Sequence, residues 1–200
     1  MREVTGVILA GGKSSRMGTN KALLTVGGIP TIERVKDILI STCSQTVVVG
    51  NQEDLYRFLN VSFIKDHHSG KGPLAGIHAG LKWSTTDWNL VVACDMPLMN
   101  EEVVLGLIDQ SNASSDVIIP RAGGRDQPLL ALYRKSSLPI MEQALEENRL
   151  SLKHVLSHLK VKSVTFNDLN GVSERQWERA FFNMNRPDEY VRVKNIDPEG

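Results

Sequence analysis

The sequence predicts an α/β fold with a mostly parallel sheet covered by helices on both faces. Three observations predict it. Short runs rich in Val, Ile and Leu recur along the chain. Between them lie segments whose apolar residues fall at helical spacing. The apolar runs close on polar or glycine residues, which suits strands buried inside a layered α/β core. No linker, repeat or low-complexity stretch divides the 200 residues, so residues 1–200 read as one domain of ordinary size.

The elements follow in order. Val4 to Leu9 is the first strand, and the run from Leu9 to Lys21 is a glycine- and cation-rich loop. Thr31 to Ile40 is a helix carrying Ile32, Val35, Ile38 and Leu39 on one face, opened by Pro30 or Thr31. Val47 to Val49 is a strand ending at Gly50-Asn51, and Val61 to Ile64 one ending at Lys65-Asp66. Pro73 to Trp83 is a helix with Pro73 in its first turn and Leu74, Ile77, His78 and Leu81 at helical spacing. Leu90 to Cys94 is a strand ending at Asp95. Asn100 caps a helix that holds Val103, Val104, Leu107 and Ile108, with Glu101 and Glu102 in its first turn.

Val117 to Ile119 is a strand stopped by Pro120. The stretch from Pro120 to Pro128 is a loop rich in Gly, Arg and Asp, expected to interrupt the parallel order. Leu129 to Tyr133 and Val161 to Val164 are later strands. Ser136 to Glu147, Ser151 to Leu159 and Ser173 to Ala180 are helices, and residues 195–200 read as a loose tail.

Composition excludes several function classes. Hydrophobic content of 41% and charged content of 23% are those of a soluble globular protein. Lys plus Arg and Asp plus Glu each number 23, so no basic field attracts nucleic acid or an anionic membrane. Cys43 and Cys94 lie far apart and form no metal pair, which points to a reduced, cytoplasmic setting. No stretch approaches the ~20 apolar residues of a membrane helix. The first apolar run is too short for a secretory signal.

Leu9-Ala10-Gly11-Gly12-Lys13-Ser14-Ser15-Arg16-Met17-Gly18-Thr19-Asn20-Lys21 carries the strongest chemical signal. Glycines let the backbone turn tightly and bring its N–H groups to a ligand, and Arg16 and Lys21 add fixed positive charge. That combination suits a polyphosphate. The spacing is not G-x-x-x-x-G-K-[ST], and no G-x-G-x-x-G is present, so the loop belongs to neither of those frameworks.

In open parallel sheets, ligands bind beyond the carboxyl ends of the strands. If the first four strands are parallel, the loop, Asn51, Asp66 and Asp95 share one edge. A polyphosphate binds with Mg²⁺, which takes few carboxylates and keeps several waters. Asp95, in Ala93-Cys94-Asp95-Met96-Pro97, is the candidate metal ligand; the alternative is a turn residue or helix cap. His67 and His68 are adjacent and point in different directions, which is poor metal geometry. Gly70, Gly72 and Pro73 shape a turn into a helix whose N-terminus would favour an anion at the same edge.

The pattern Leu9-Ala10-Gly11-Gly12-x-Ser14-x-Arg16-Met17-Gly18-x-x-Lys21 resembles the signature loop of the NTP-dependent nucleotidyltransferase superfamily. Gly72-Pro73-Leu74-Ala75-Gly76, Cys94-Asp95-Met96-Pro97 and the stretch Phe182 to Glu189 narrow the resemblance to its molybdenum cofactor guanylyltransferases. The resemblance implies a Rossmann-like three-layer α/β/α fold of nucleotidyltransferase type. It implies transfer of GMP from GTP to molybdopterin or its molybdenum-bearing form, with release of pyrophosphate. Leu9, Ala10, Gly11, Lys21, Asn51, Asp66 and Asp95 would bind GTP. Arg16, Lys21 and Asp95 would be the catalytic groups, and Asp95 would hold Mg²⁺. Asn183 and Asn185 would lie near the pterin; their alternative is capping of a final helix at Pro187. The partners implied are GTP, the pterin substrate and molybdopterin-handling proteins, with neither nucleic acid nor membrane. Two other readings stay open: a cytidylyl- or sugar-phosphate nucleotidyltransferase of the same superfamily, and a nucleotide-binding regulator without turnover.

Overall fold

The computed structural model describes residues 3–11, 20–66, 68, 70–184 and 186–194. Strands β1 (Val4–Leu9), β4 (Gln45–Gly50), β5 (Ser62–Lys65), β6 (Trp88–Ala93), β7 (Val117–Ala122), β9 (Leu130–Arg134) and β10 (Val161–Val164) form a sheet in the order β10-β7-β9-β6-β1-β4-β5. A two-residue strand, β8 (Arg125–Asp126), pairs with β7. β1 runs parallel to both its neighbours, β4 and β6, and β5 is parallel to β4. β9 alone along that path runs antiparallel, between β6 and β7. The parallel order is therefore interrupted just after residues 120–128, as the sequence predicts.

Alternate residues of the strands feed two cores. Val4 and Ile8 of β1 pack with Ile32, Val35 and Leu39 of helix α1 (Thr31–Thr42) and with Val103 and Leu107 of α3 (Glu101–Asp109). Trp177 of α6 (Glu174–Ala180) joins that layer. Val7, on the other side of β1, packs with Leu74, Ile77 and Leu81 of α2 (Gly72–Trp83) and with Met141 and Leu145 of α4 (Leu138–Glu146). Val155 of α5 (Leu152–Leu156) completes that side. A strand's period of two thus becomes three layers, α/β/α. Helix α2 approaches β1 so closely that a Cβ on Gly80 would stand 2.4 Å from Val7 Cγ1.

A third, small core lies beside the main ones. Val26 of the hairpin β2 (Thr25–Val26) and β3 (Ile29–Pro30) packs with Met184 and with Val193 of α7 (Pro187–Val193). Gly27 N donates to Lys194 O (3.0 Å), which ties the end of the described chain to this hairpin. No helix among the described residues is long and apolar enough to cross a membrane.

Several elements differ from expectation. Pro120 does not stop its strand: β7 continues to Ala122, with Pro120 opposite Val164 of β10. Its pairing with β9 is recorded only at Val117 and Ile118, so the missing N–H at Pro120 falls beyond that ladder. The expected loop is a β7–β8 hairpin turning at Gly123 and Gly124, both at positive φ. Helix α5 is shorter than Ser151 to Leu159. The β2–β3 hairpin and the 3₁₀ segment Glu53–Leu59 carry too few residues to show a hydrophobic period.

Candidate active site

Because β1, β4, β5 and β6 are mutually parallel, their carboxyl ends meet at one edge of the sheet. A cavity of about 450 Å³ opens there. One wall is Leu9, Ala10 and Gly11, where β1 ends, and Asn20 and Lys21 close it from the far side of the loop. Gly50 ends β4 at the floor, Asp66 follows β5, and Cys94 and Asp95 follow β6. The N-terminal turn of α2 contributes Gly72, Pro73 and Gly76. Positive φ at Gly70 (83°) and Gly72 (71°) turns the chain into that helix. Pro73, at the first helical positions, gives up an N–H that has no partner within the helix anyway.

Lys21 and Asp95 face each other across the cavity mouth, with Nζ 3.8 Å from Oδ2. Their side chains are 16% and 20% exposed, so the pair is more shielded than a surface ion pair. Burial pushes the Asp95 carboxyl above the usual carboxylate range; Lys21 opposes the shift and Glu189 of α7 reinforces it. Asp95 sits in a turn, but it is not the cap of α3: Asn100 caps that helix, its Oδ1 accepting from Val103 N (2.9 Å). Met184 N donates to Asp95 O (3.0 Å), and Arg34 Nε donates to Pro97 O (3.1 Å). The turn is thus held from two sides. Burial, aided by Asp95, raises the neighbouring Cys94 thiol to about 12, so it lines the wall as a neutral side chain.

Asp66 Oδ1 accepts from His68 N (2.8 Å), an Asx turn that fixes the carboxylate at the cavity wall. The His68 ring packs edge-on to His78 (5.8 Å between centroids). Asn51 is exposed in the bend after β4, and Gly50 rather than Asn51 forms the wall at that strand end. Asn183 Nδ2 donates to Phe181 O (3.2 Å), next to the residue that bonds Asp95. The N-cap of α7 is Arg186, so Asn183 does not cap that helix. Arg16, Asn185, His67 and the expected tail lie outside the described residues.

Two residues at the site were not anticipated. Asn20 Oδ1 accepts from Ala22 N (3.1 Å) and caps the 3₁₀ turn Lys21–Leu23; its Nδ2 donates to Tyr56 Oη (3.0 Å). Tyr56 Oη donates in turn to Ala10 O (3.4 Å). An Asn immediately before Lys21 is a capping signal legible in the sequence. Nothing local in the sequence aims Tyr56 at that loop.

The donor set suits Mg²⁺. Asp95 offers one hard carboxylate at the mouth of a cavity with room for a ligand, and this cation takes one or two carboxylates with substrate phosphates and water. Among the described residues no group of three or more His, Cys, Asp or Glu forms a protein-only metal cage.

Comparisons with known proteins bear on the family and the fold. The model of the MobA-like NTP transferase domain matches residues 6–163. A protein of Pelotomaculum thermopropionicum named probable molybdenum cofactor guanylyltransferase is 37% identical over 97% of this chain and 93% of its own length. A protein of the same name from Carboxydothermus hydrogenoformans is 35% identical over 98% of each chain. The crystal structure of molybdopterin-guanine dinucleotide biosynthesis protein A from Archaeoglobus fulgidus superposes with a TM-score of 0.81 at 30% identity, covering 95% of this chain and 96% of that one.

Proposed function

The chain belongs to the MobA-like NTP transferase domain family and is a nucleotidyltransferase, and from that premise we propose that it transfers GMP from GTP to molybdopterin or its molybdenum-bearing form. An oxygen of the acceptor's terminal phosphate attacks the α-phosphorus of GTP. The bond from that phosphorus to the bridging oxygen of the β-phosphate breaks, and pyrophosphate leaves. The attacking phosphate monoester has a second pKa near ~6 and is largely a dianion at neutral pH, so the reaction needs no general base. What this chain must supply is alignment and charge neutralisation for in-line displacement.

The observation that supports this reading most is the juxtaposition of Lys21 and Asp95 at a cavity walled by Leu9, Ala10 and Gly11. Backbone N–H groups of the loop and the N-terminus of α2 would receive phosphate oxygens. Lys21 would neutralise charge on the triphosphate, with Arg16 of the same loop. Asp95 would hold Mg²⁺, which when bound screens the charge that develops on the departing pyrophosphate. Asp66, fixed by His68 N, would contact the nucleotide, as would Asn51 beyond the end of β4. Asn183, hydrogen-bonded to Phe181 beside the Asp95 turn, and Asn185 would meet the pterin side. Guanine and the pterin acceptor rest on the near full-length similarity to relatives named for that reaction.

The test is pyrophosphate release with molybdopterin, Mg²⁺ and each of the four NTPs supplied separately. Release with GTP alone is expected. Release with CTP alone, or with a sugar phosphate as acceptor, replaces the reading with a cytidylyl- or sugar-phosphate transferase. Binding of a nucleotide without release under any condition makes the chain a regulator.

A further inference from the structure

We propose that Tyr56 and Asn20 form a clasp that sets the position of Lys21, making a phenol outside the cavity wall a determinant of triphosphate binding. The proposal rests on the nucleotide-binding reading above. Ala10, at the exit of β1, and Asn20, at the start of the Lys21 turn, lie on opposite sides of the loop. Tyr56 comes from the segment Glu53–Leu59, far from both in sequence, and its hydroxyl meets both: it accepts from Asn20 Nδ2 (3.0 Å) and donates to Ala10 O (3.4 Å). A phenol can do both at once. The other half of the Asn20 amide caps the turn that carries Lys21, accepting from Ala22 N at 3.1 Å. The chain of contacts therefore runs from the end of β1 through Tyr56 and Asn20 to the backbone N–H of Ala22, the residue after Lys21 in the same turn, and Lys21 Nζ in turn stands 3.8 Å from Asp95 Oδ2.

The parts of the clasp are themselves fixed. The Tyr56 ring is 5% exposed and stacks on Phe63 of β5, with centroids 6.3 Å apart and planes inclined by 19°. Burial raises the phenol's pKa above its ordinary range, against the opposing hydrogen bond from Asn20, so the hydroxyl keeps its proton as a donor at neutral pH. Lys21 has a long flexible stem, and ordering its turn before the ligand arrives lowers the entropy cost of placing the ammonium group. A small displacement of such a group is costly, because charge neutralisation depends on distance. Tyr56 and Asn20 are thus positioning residues that act through Lys21.

Tyr56→Phe keeps the ring and its stacking on Phe63 while removing the hydroxyl. Equilibrium binding of a fluorescent GTP analogue with Mg²⁺ is measured in the whole protein, in wild-type and Lys21→Met backgrounds. The expected result is a loss of about fivefold in affinity with Lys21 present, equivalent to ~1 kcal/mol, and no loss in the Lys21→Met background. Asn20→Ala, which loses the cap as well, should follow the same pattern with a larger effect. Equal losses in both backgrounds would show a general packing role and overturn the proposal, as would unchanged affinity with Lys21 present. Failure of the transfer reading looks different: nucleotide binds and depends on Tyr56, but no pyrophosphate appears with any acceptor. A wild-type protein that binds no triphosphate overturns both.

Discussion

Asp95→Asn separates what Asp95 costs the fold from what it does for the reaction. The substitution keeps shape and one acceptor oxygen but removes the charge. At the observed 3.8 Å from Lys21, and with an effective dielectric of about 20, the lost Coulomb attraction is about 4 kcal/mol. Desolvation works against it, and the upward direction of the Asp95 carboxyl's shift shows that burial outweighs Lys21. The sign follows: a carboxyl raised in the native state binds its proton more tightly there than in the unfolded chain. At neutral pH its ionised form therefore subtracts from stability, and that deficit disappears as pH falls through the native value. Since burial outweighs the attraction to Lys21, removing the charge in Asp95→Asn should leave the protein no less stable than wild type at neutral pH. The reaction has no such compensation. Loss of a charged group at the reacting phosphates should lower kcat about 10²–10³-fold, or ~3–4 kcal/mol. Denaturant midpoints and pyrophosphate release with a Mg²⁺ titration measure the two effects. A clearly destabilised variant would refute the electrostatic balance. A stable variant with full turnover and ordinary Mg²⁺ dependence would remove Asp95 from the catalytic machinery.

Three further predictions follow from the geometry. Lys21→Met should reduce kcat/KM for GTP about 10–100-fold, the range for one charge-assisted contact of ~1.4–3 kcal/mol; unchanged kinetics would take Lys21 out of the site. Gly80→Ala places a methyl 2.4 Å from Val7 Cγ1, so an overpacking cost of about 2–3 kcal/mol should exceed the ~1 kcal/mol gained in helix propensity. A denaturant midpoint equal to or above wild type would contradict that packing. Burial lowers the pKa of His78 below its ordinary 6.5, reinforced by Lys82 and His68 and opposed by Glu142. The unfolded chain then binds more protons just below that value, so stability should be full above about pH 6.5 and fall as pH drops through the window beneath it. Denaturation series at both ends of the window should show that slope in wild type and a flatter one in His78→Leu; identical slopes would exclude His78 as the cause.

Much of the architecture was legible because strands and helices announce themselves locally. Val4 to Leu9 is apolar apart from Thr5 because it is buried on both faces, between Leu39 of α1 and Gly80 of α2. Ile32, Val35 and Leu39 mark the buried stripe of α1. Polarity at the strand ends then located Asp66 and Asp95 at one edge, since parallel strands send their carboxyl ends the same way. Pro120 misled because a proline's effect depends on whether a neighbour needs its N–H, and that neighbour is remote in sequence. Asn51 and Gly50 are adjacent, and only the bend after β4 decides which of them reaches the cavity.

The sequence by itself determined the layered α/β class and the cluster of glycines and cations after β1, because periodicity and residue type are properties of neighbours along the chain. Tertiary structure decided what is built from contacts between distant segments. It set β9 antiparallel between β6 and β7, and it brought Lys21 within 3.8 Å of Asp95. It laid Met184 on the Asp95 carbonyl and turned the Tyr56 hydroxyl toward both sides of the loop. Such pairings depend on which faces pack together and on hydrogen bonds that buried groups must complete, and no short window of sequence contains both partners.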